Sequence, residues 1–187
     1  EVESRYGKRT IRIPNFVDTD IFRPREPRGE SILFAGRFHW AKGIPVLIDA
    51  FSRIAAAHPK VELLLYGTGE LDDDLRRSVP DSLRDRIRFL GSRRQDEVAA
   101  HLGSASICAL PTLTTEGNPK AVIEAMACGT PLVCSAVPGI GDLIESERTG
   151  ILVPPGDAEA LAGALARLLD DRALWDRISQ ASLARGR

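Results

Sequence analysis

Aromatic residues make up only 5% of this 187-residue sequence, methionine occurs once and cysteine three times. Cys108, Cys128 and Cys134 are an odd number with no C-x-x-C spacing, which excludes an evident disulfide framework or thiolate metal site. Cys108 and Cys134 sit in apolar runs, where a free thiol packs as a small hydrophobe. A reduced, intracellular chain is the simplest reading. The three histidines, His39, His58 and His101, show no metal-ligand spacing. No apolar run approaches the ~20 residues of a membrane span, and no signal peptide is visible. Neither sign of charge dominates: 25 Lys and Arg oppose 26 Asp and Glu, for a net charge of −1. That balance argues against nucleic acid as a partner, because backbone-driven binding needs a positive surplus on one face. G-x-G-x-x-G, G-K-[ST] and G-x-S-x-G are all absent. Their absence counts against a nicotinamide dehydrogenase, a P-loop NTPase and an α/β hydrolase.

The length suffices for one domain burying roughly 70% of the surface that its unfolded chain exposes. Hydrophobic residues at 43% and charged residues at 27% are ordinary for a globular protein. Short apolar runs alternate with helical patterns. Strands are expected at Ser31–Gly36, Val61–Tyr66, Ile87–Leu90, Ser106–Leu110, Pro131–Cys134 and Ile151–Val153, the first three followed or closed by glycine. Leu47, Phe51, Ile54 and Ala55 form a helical stripe, and helices are also expected near Leu71–Val79 and Glu97–Leu102. Pro119–Ala127 reads as a helix with Asn118 as its N-cap and Pro119 first. Asp157 caps another helix, with Leu161, Leu165 and Leu168 on one face, and Arg172–Leu183 continues as a last one. This alternation predicts an α/β fold: an open, doubly wound, mainly parallel sheet of about six strands with helices on both faces. Residues 1–29 read differently. A short strand at Ile11–Ile13 precedes a polar stretch punctuated by Pro14, Pro24 and Pro27, expected to be a linker into a domain spanning 30–187.

Ligands of doubly wound sheets lie beyond the carboxyl ends of the strands, so residues just after each strand carry the functional signal. The first strand is followed by Gly36-Arg37-Phe38-His39-Trp40-Ala41-Lys42-Gly43, two cations between glycines, a pattern able to neutralise a diphosphate. A solvated loop with two ordinary surface charges is the competing reading. His39 is read as a packing residue. The fourth strand is followed by Glu116-Gly117-Asn118-Pro119-Lys120-Ala121 and then Glu124 within the helix. The start of that helix is a ready anion site, with Asn118, Lys120 and Ala121 as candidate amide donors because Pro119 has no N–H. Glu116 and Glu124 are equally readable as a dipole partner and a solvated helix face.

Together these motifs resemble the C-terminal, donor-binding domain of GT-B glycosyltransferases, in particular the retaining family 4 group. A linker signature I-P-N-x-V-D-x-x-x-F-x-P matches Ile13 to Pro24, and G-R-x4-K-G matches Gly36, Arg37, Lys42 and Gly43. E-G-x-P-x4-E-A-M-A-x-G-x-P matches Glu116 to Pro131, and T-G-x-L-V-P-P-G-D matches Thr149 to Asp157. The family's G-G-x-P-E segment reads Pro138-Gly139-Ile140-Gly141-Asp142 here, and its frequent aromatic before the helix proline is Asn118.

The resemblance implies roles. Arg37 and Lys42 bind the donor diphosphate and stabilise the leaving group, Glu116 holds donor-sugar hydroxyls, and Glu124 accepts from the ribose. The Asn118 amide faces the sugar, and those of Lys120 and Ala121 face the phosphates. Gly36 and Gly117 also belong to the donor site, and Gly91 to Arg93 lie against the base. It implies a substrate, a UDP- or GDP-linked sugar, with no cofactor and no metal ion. It implies an acceptor of undefined class (saccharide, lipid or small molecule) and an acceptor-binding N-terminal domain elsewhere in the same protein. A cytoplasmic location, peripheral to the inner membrane face, goes with it. A nucleotide-sugar epimerase of the same fold and a non-catalytic nucleotide-sugar module are the alternatives.

Overall fold

The structure, a computed structural model, describes residues 15–186, so the strand expected at Ile11–Ile13 lies outside it. Six strands follow one another as β1 (Ser31–Ala35), β2 (Glu62–Tyr66), β3 (Ile87–Gly91), β4 (Ile107–Leu110), β5 (Leu132–Ser135) and β6 (Ile151–Val153). Every pairing is parallel, in the order β3-β2-β1-β4-β5-β6. Ile32 of β1 faces Leu63 of β2 on one side and Ile107 of β4 on the other. Every residue of β4 and of β5 is buried, as a strand covered on both faces requires.

The helices are α1 (Ile44–Ile54), α2 (Asp72–Ser78), α3 (Gln95–Ser104), α4 (Lys120–Ala127), α5 (Ala158–Asp170) and α6 (Arg172–Gly186). In α1, Ile44, Leu47, Ile48, Phe51 and Ile54 form the buried stripe, with Pro45 in the first turn, where a missing N–H costs nothing. Asp157 caps α5 as its sequence predicts, accepting from Ala160 N at 2.8 Å. Helices α1 and α5 pack together, as do α4 and α6.

Residues 15–29 lie along the domain. Phe22 is buried in the core. Arg25 N donates to Gly103 O at 3.0 Å and Gly29 N to Ser104 O at 2.6 Å, at the end of α3. Arg28 donates to the carbonyls of Cys128 and Gly129 just past α4 and lies over the Trp175 ring, 4.9 Å from its centroid. A cation there complements the negative end of the α4 dipole.

Candidate active site

Strands β1 and β4 are neighbours from which the chain winds away in opposite directions, and the crevice between their carboxyl ends is where such sheets bind ligands. The loops after β1 and β4 meet there. Leu113 N donates to Ala41 O at 2.7 Å, and Thr112 Oγ1 lies 2.8 Å from the same carbonyl. Gly43 makes the approach feasible. Its φ is +65°, and a Cβ there would stand 2.0 Å from Pro111 O.

This contact carries Lys42 to Glu116. Lys42 Nζ is 2.5 Å from Glu116 Oε1, and Thr112 Oγ1 is 2.9 Å from that oxygen. The hydroxyl has one proton for two oxygen neighbours, so the ammonium is the donor always available to Glu116. The lysine side chain is 31% exposed and that of Glu116 16%, which leaves the pair partly desolvated. Glu116 N donates to Pro138 O at 3.0 Å, so the loop after β5 braces the glutamate from behind.

Helix α4 starts one residue later than its sequence suggests. Pro119, at ψ 116°, holds the cap position in extended geometry, and Lys120 is the first helical residue. Asn118 therefore caps nothing with its side chain. Its Oδ1 is buried without a partner among the described residues, and its carbonyl accepts from Asn15 Nδ2 at 2.6 Å. Val122 N is taken by Pro119 O, whereas the amides of Lys120 and Ala121 have no acceptor among the described residues. Two open N–H groups at the positive end of a helix favour an anion. Glu124, on the next turn, is half-buried, and burial holds its carboxyl above the usual glutamate range, with Lys120 acting the other way.

Arg37 is exposed and makes no ion pair among the described residues. It lines a cleft of about 380 Å3 at the ends of β1, β2 and β3, together with Gly36, Thr68, Ser92 and Arg93. Arg93 is fixed there by donation from Nε to Leu90 O at 2.9 Å. The structure thus joins Lys42 to Glu116, and Arg37 to Gly36 and Arg93, while no α4 residue lines the second cleft. Gly117 is exposed between Glu116 and α4. Two contributors escape a reading of the sequence. Thr112 is signalled only by a hydroxyl at a strand end, and Pro138 acts through its carbonyl. His39 is structural: its Nδ1 accepts from Ala41 N at 3.2 Å and holds the short turn that presents Lys42.

Among the described residues, no three His, Cys, Asp or Glu side chains gather as a metal-holding group. The three cysteines are free and buried, and burial pushes the Cys128 thiol up to about 12. No helix among the described residues is long and apolar enough to cross a membrane.

The fold defines a Rossmann-like α/β domain whose switch point between β1 and β4 gathers the loops that carry Lys42 and Glu116. The chain belongs to the family described as Glycosyl transferases group 1, which residues 29–171 match. It is 35% identical over 178 residues to the phosphatidyl-myo-inositol mannosyltransferase of Mycobacterium leprae, covering 91% of this chain and 47% of that protein. Sucrose-phosphate synthase of Thermosynechococcus elongatus superposes with a TM-score of 0.83 at 31% identity, over 98% of this chain and 50% of the other. Anabaena HepE, crystallised with UDP and glucose, shares the fold with a TM-score of 0.81 at 22% identity, over 92% of this chain and 50% of that one. The chain spans about half the length of these relatives. The resemblance to a GT-B donor-binding domain and the expected parallel α/β fold both hold.

Proposed function

We propose that this chain is the donor-binding half of a retaining glycosyltransferase, which transfers a sugar from a nucleoside-diphosphate sugar to an acceptor hydroxyl without a metal ion. The observation that carries the reading is the Lys42–Glu116 pair beside two open amides of α4. Departure of a nucleoside diphosphate concentrates negative charge on its phosphate oxygens. Preorganised donors aimed at such charge are worth about 2.7–4 kcal/mol each when removed. Lys42, held by Glu116, and the open amides of Lys120 and Ala121 are donors of this kind, and Arg37, exposed at the end of β1, supplies a second cation. Glu116 offers acceptor oxygens to sugar hydroxyls, Glu124 to the ribose, and Arg93 flanks the base. Residues 1–29 lead in from an acceptor-binding domain within the length of the relatives that this chain does not span. The working location is the cytoplasm, at the inner face of the membrane.

The test is titration calorimetry with UDP, GDP and their nucleosides. Lys42→Ala is expected to weaken diphosphate binding by about 10- to 100-fold, the worth of a charge-assisted hydrogen bond, and nucleoside binding far less. Equal losses for UDP and uridine, or for GDP and guanosine, would remove Lys42 from the phosphates. Added acceptors should not accelerate nucleotide release by the chain alone, since holding two reactants in register supplies ~7–11 kcal/mol in favourable cases.

A further inference from the structure

In the structure Lys42 is already occupied. Its Nζ lies 2.5 Å from Glu116 Oε1, and no other carboxylate pairs with it among the described residues. Glu116 in turn has no second cation among them, and its other neighbour is the Thr112 hydroxyl. A phosphate oxygen that reaches this ammonium must approach a carboxylate at nearly the same distance. Two anions on one cation repel, and the partial burial of the pair lessens the screening that water gives. An ammonium has three protons, so sharing is geometrically possible, but the second anion gains less than the first.

A sugar on the diphosphate changes this balance. Its hydroxyls are donors, and a carboxylate that accepts from them no longer depends on Lys42. We infer that Glu116 is a counter-ion which a diphosphate must displace from Lys42, so that the site favours a sugar-bearing nucleoside diphosphate over the bare nucleoside diphosphate. This rests on the donor-site reading above and adds a specificity role to it. Glu116 acts against the diphosphate left after transfer as well as for the sugar, which speeds release of the spent nucleotide.

The experiment is calorimetric titration of the wild-type chain and Glu116→Gln with UDP, UDP-glucose, GDP and GDP-mannose. Glutamine keeps the shape and removes the charge. Its carbonyl can still accept from the Lys42 ammonium, but the attraction between opposite charges is lost. Glu116→Gln should bind the preferred bare diphosphate about five- to tenfold more tightly, while the sugar nucleotide gains nothing. Glu116→Ala, with folding checked by circular dichroism, serves if the glutamine variant does not fold and should show the same gain. Wild-type binding with unchanged or weaker diphosphate affinity in the variant would overturn the counter-ion role and leave the donor-site reading standing. Failure of the wild type to bind any of the four ligands would overturn that reading and the role built on it.

Discussion

Gly139→Ala places a methyl group where the carbonyl oxygen of Glu116 already lies. The Cβ would stand 1.8 Å from that oxygen, about 1.6 Å short of the 3.4 Å at which ordinary contact begins. Backbone strain adds to the collision, because Gly139 has a φ of +88° and a side chain in left-handed geometry costs roughly 1–2 kcal/mol. Neither partner can yield easily, since Glu116 N is hydrogen-bonded to Pro138 O in the same loop. A total destabilisation of about 2–3 kcal/mol is expected, which is ~4–12 °C in Tm for a chain of this length. The displacement falls on the residue that holds Lys42, so diphosphate-sugar affinity should fall as well, by tenfold or more. Thermal melts and calorimetric titrations of Gly139→Ala and Gly141→Ala decide the matter. Gly141 is two residues along, is exposed, and its added Cβ would meet only Val137 O, at 3.9 Å, so that variant should behave as wild type. A Gly139→Ala protein with wild-type Tm and affinity would refute the view that this loop braces Glu116.

Three further outcomes are expected. Glu124→Gln should melt higher than wild type at pH 7 without ligand. Its raised carboxyl favours the folded state fully only below the unfolded glutamate value, about 4.3, and that contribution is lost as pH rises through the folded value; the Tm difference should therefore shrink toward acid pH, and a pH-independent difference refutes the cause. None of the three cysteines should react with a thiol reagent in the native state, and all three should react on unfolding. Asp157→Ala should cost about 1 kcal/mol by removing the α5 cap, read as a drop of roughly 2–4 °C in Tm.

Much of the fold was legible because parallel strands covered on both faces are written as unbroken apolar runs. Leu63 to Tyr66 and Ile107 to Leu110 are such runs, and Asp157 announced its helix through a side chain that caps locally. The start of α4 was misplaced by one residue, since the extended geometry of Pro119 rather than the polarity of Asn118 decides where helical dihedrals begin. Phe22 gave no signal of burial because a lone aromatic among prolines and charges has no period to read. Glu116 and Lys42 were each identifiable as candidates, but their contact depends on β1 lying beside β4, and nothing local to either loop specifies that neighbour. Thr112 was invisible for the same reason. Its hydroxyl matters only because the carbonyl of Ala41 arrives from the other side of the crevice.

The order of the strands also governs when the site comes into being. Lys42 and Glu116 are 74 residues apart in the chain, and only the junction of β1 with β4 brings them together. Closing so long a loop is entropically unfavourable and rewards the chain late, so the β1–β2–β3 unit has every opportunity to form first. A folding intermediate of that kind would hold Arg37 and Arg93 on their strand ends yet lack Glu116 and the α4 amides. Recovery of diphosphate binding during refolding would then time the closing of the central seam, which secondary-structure signals do not resolve.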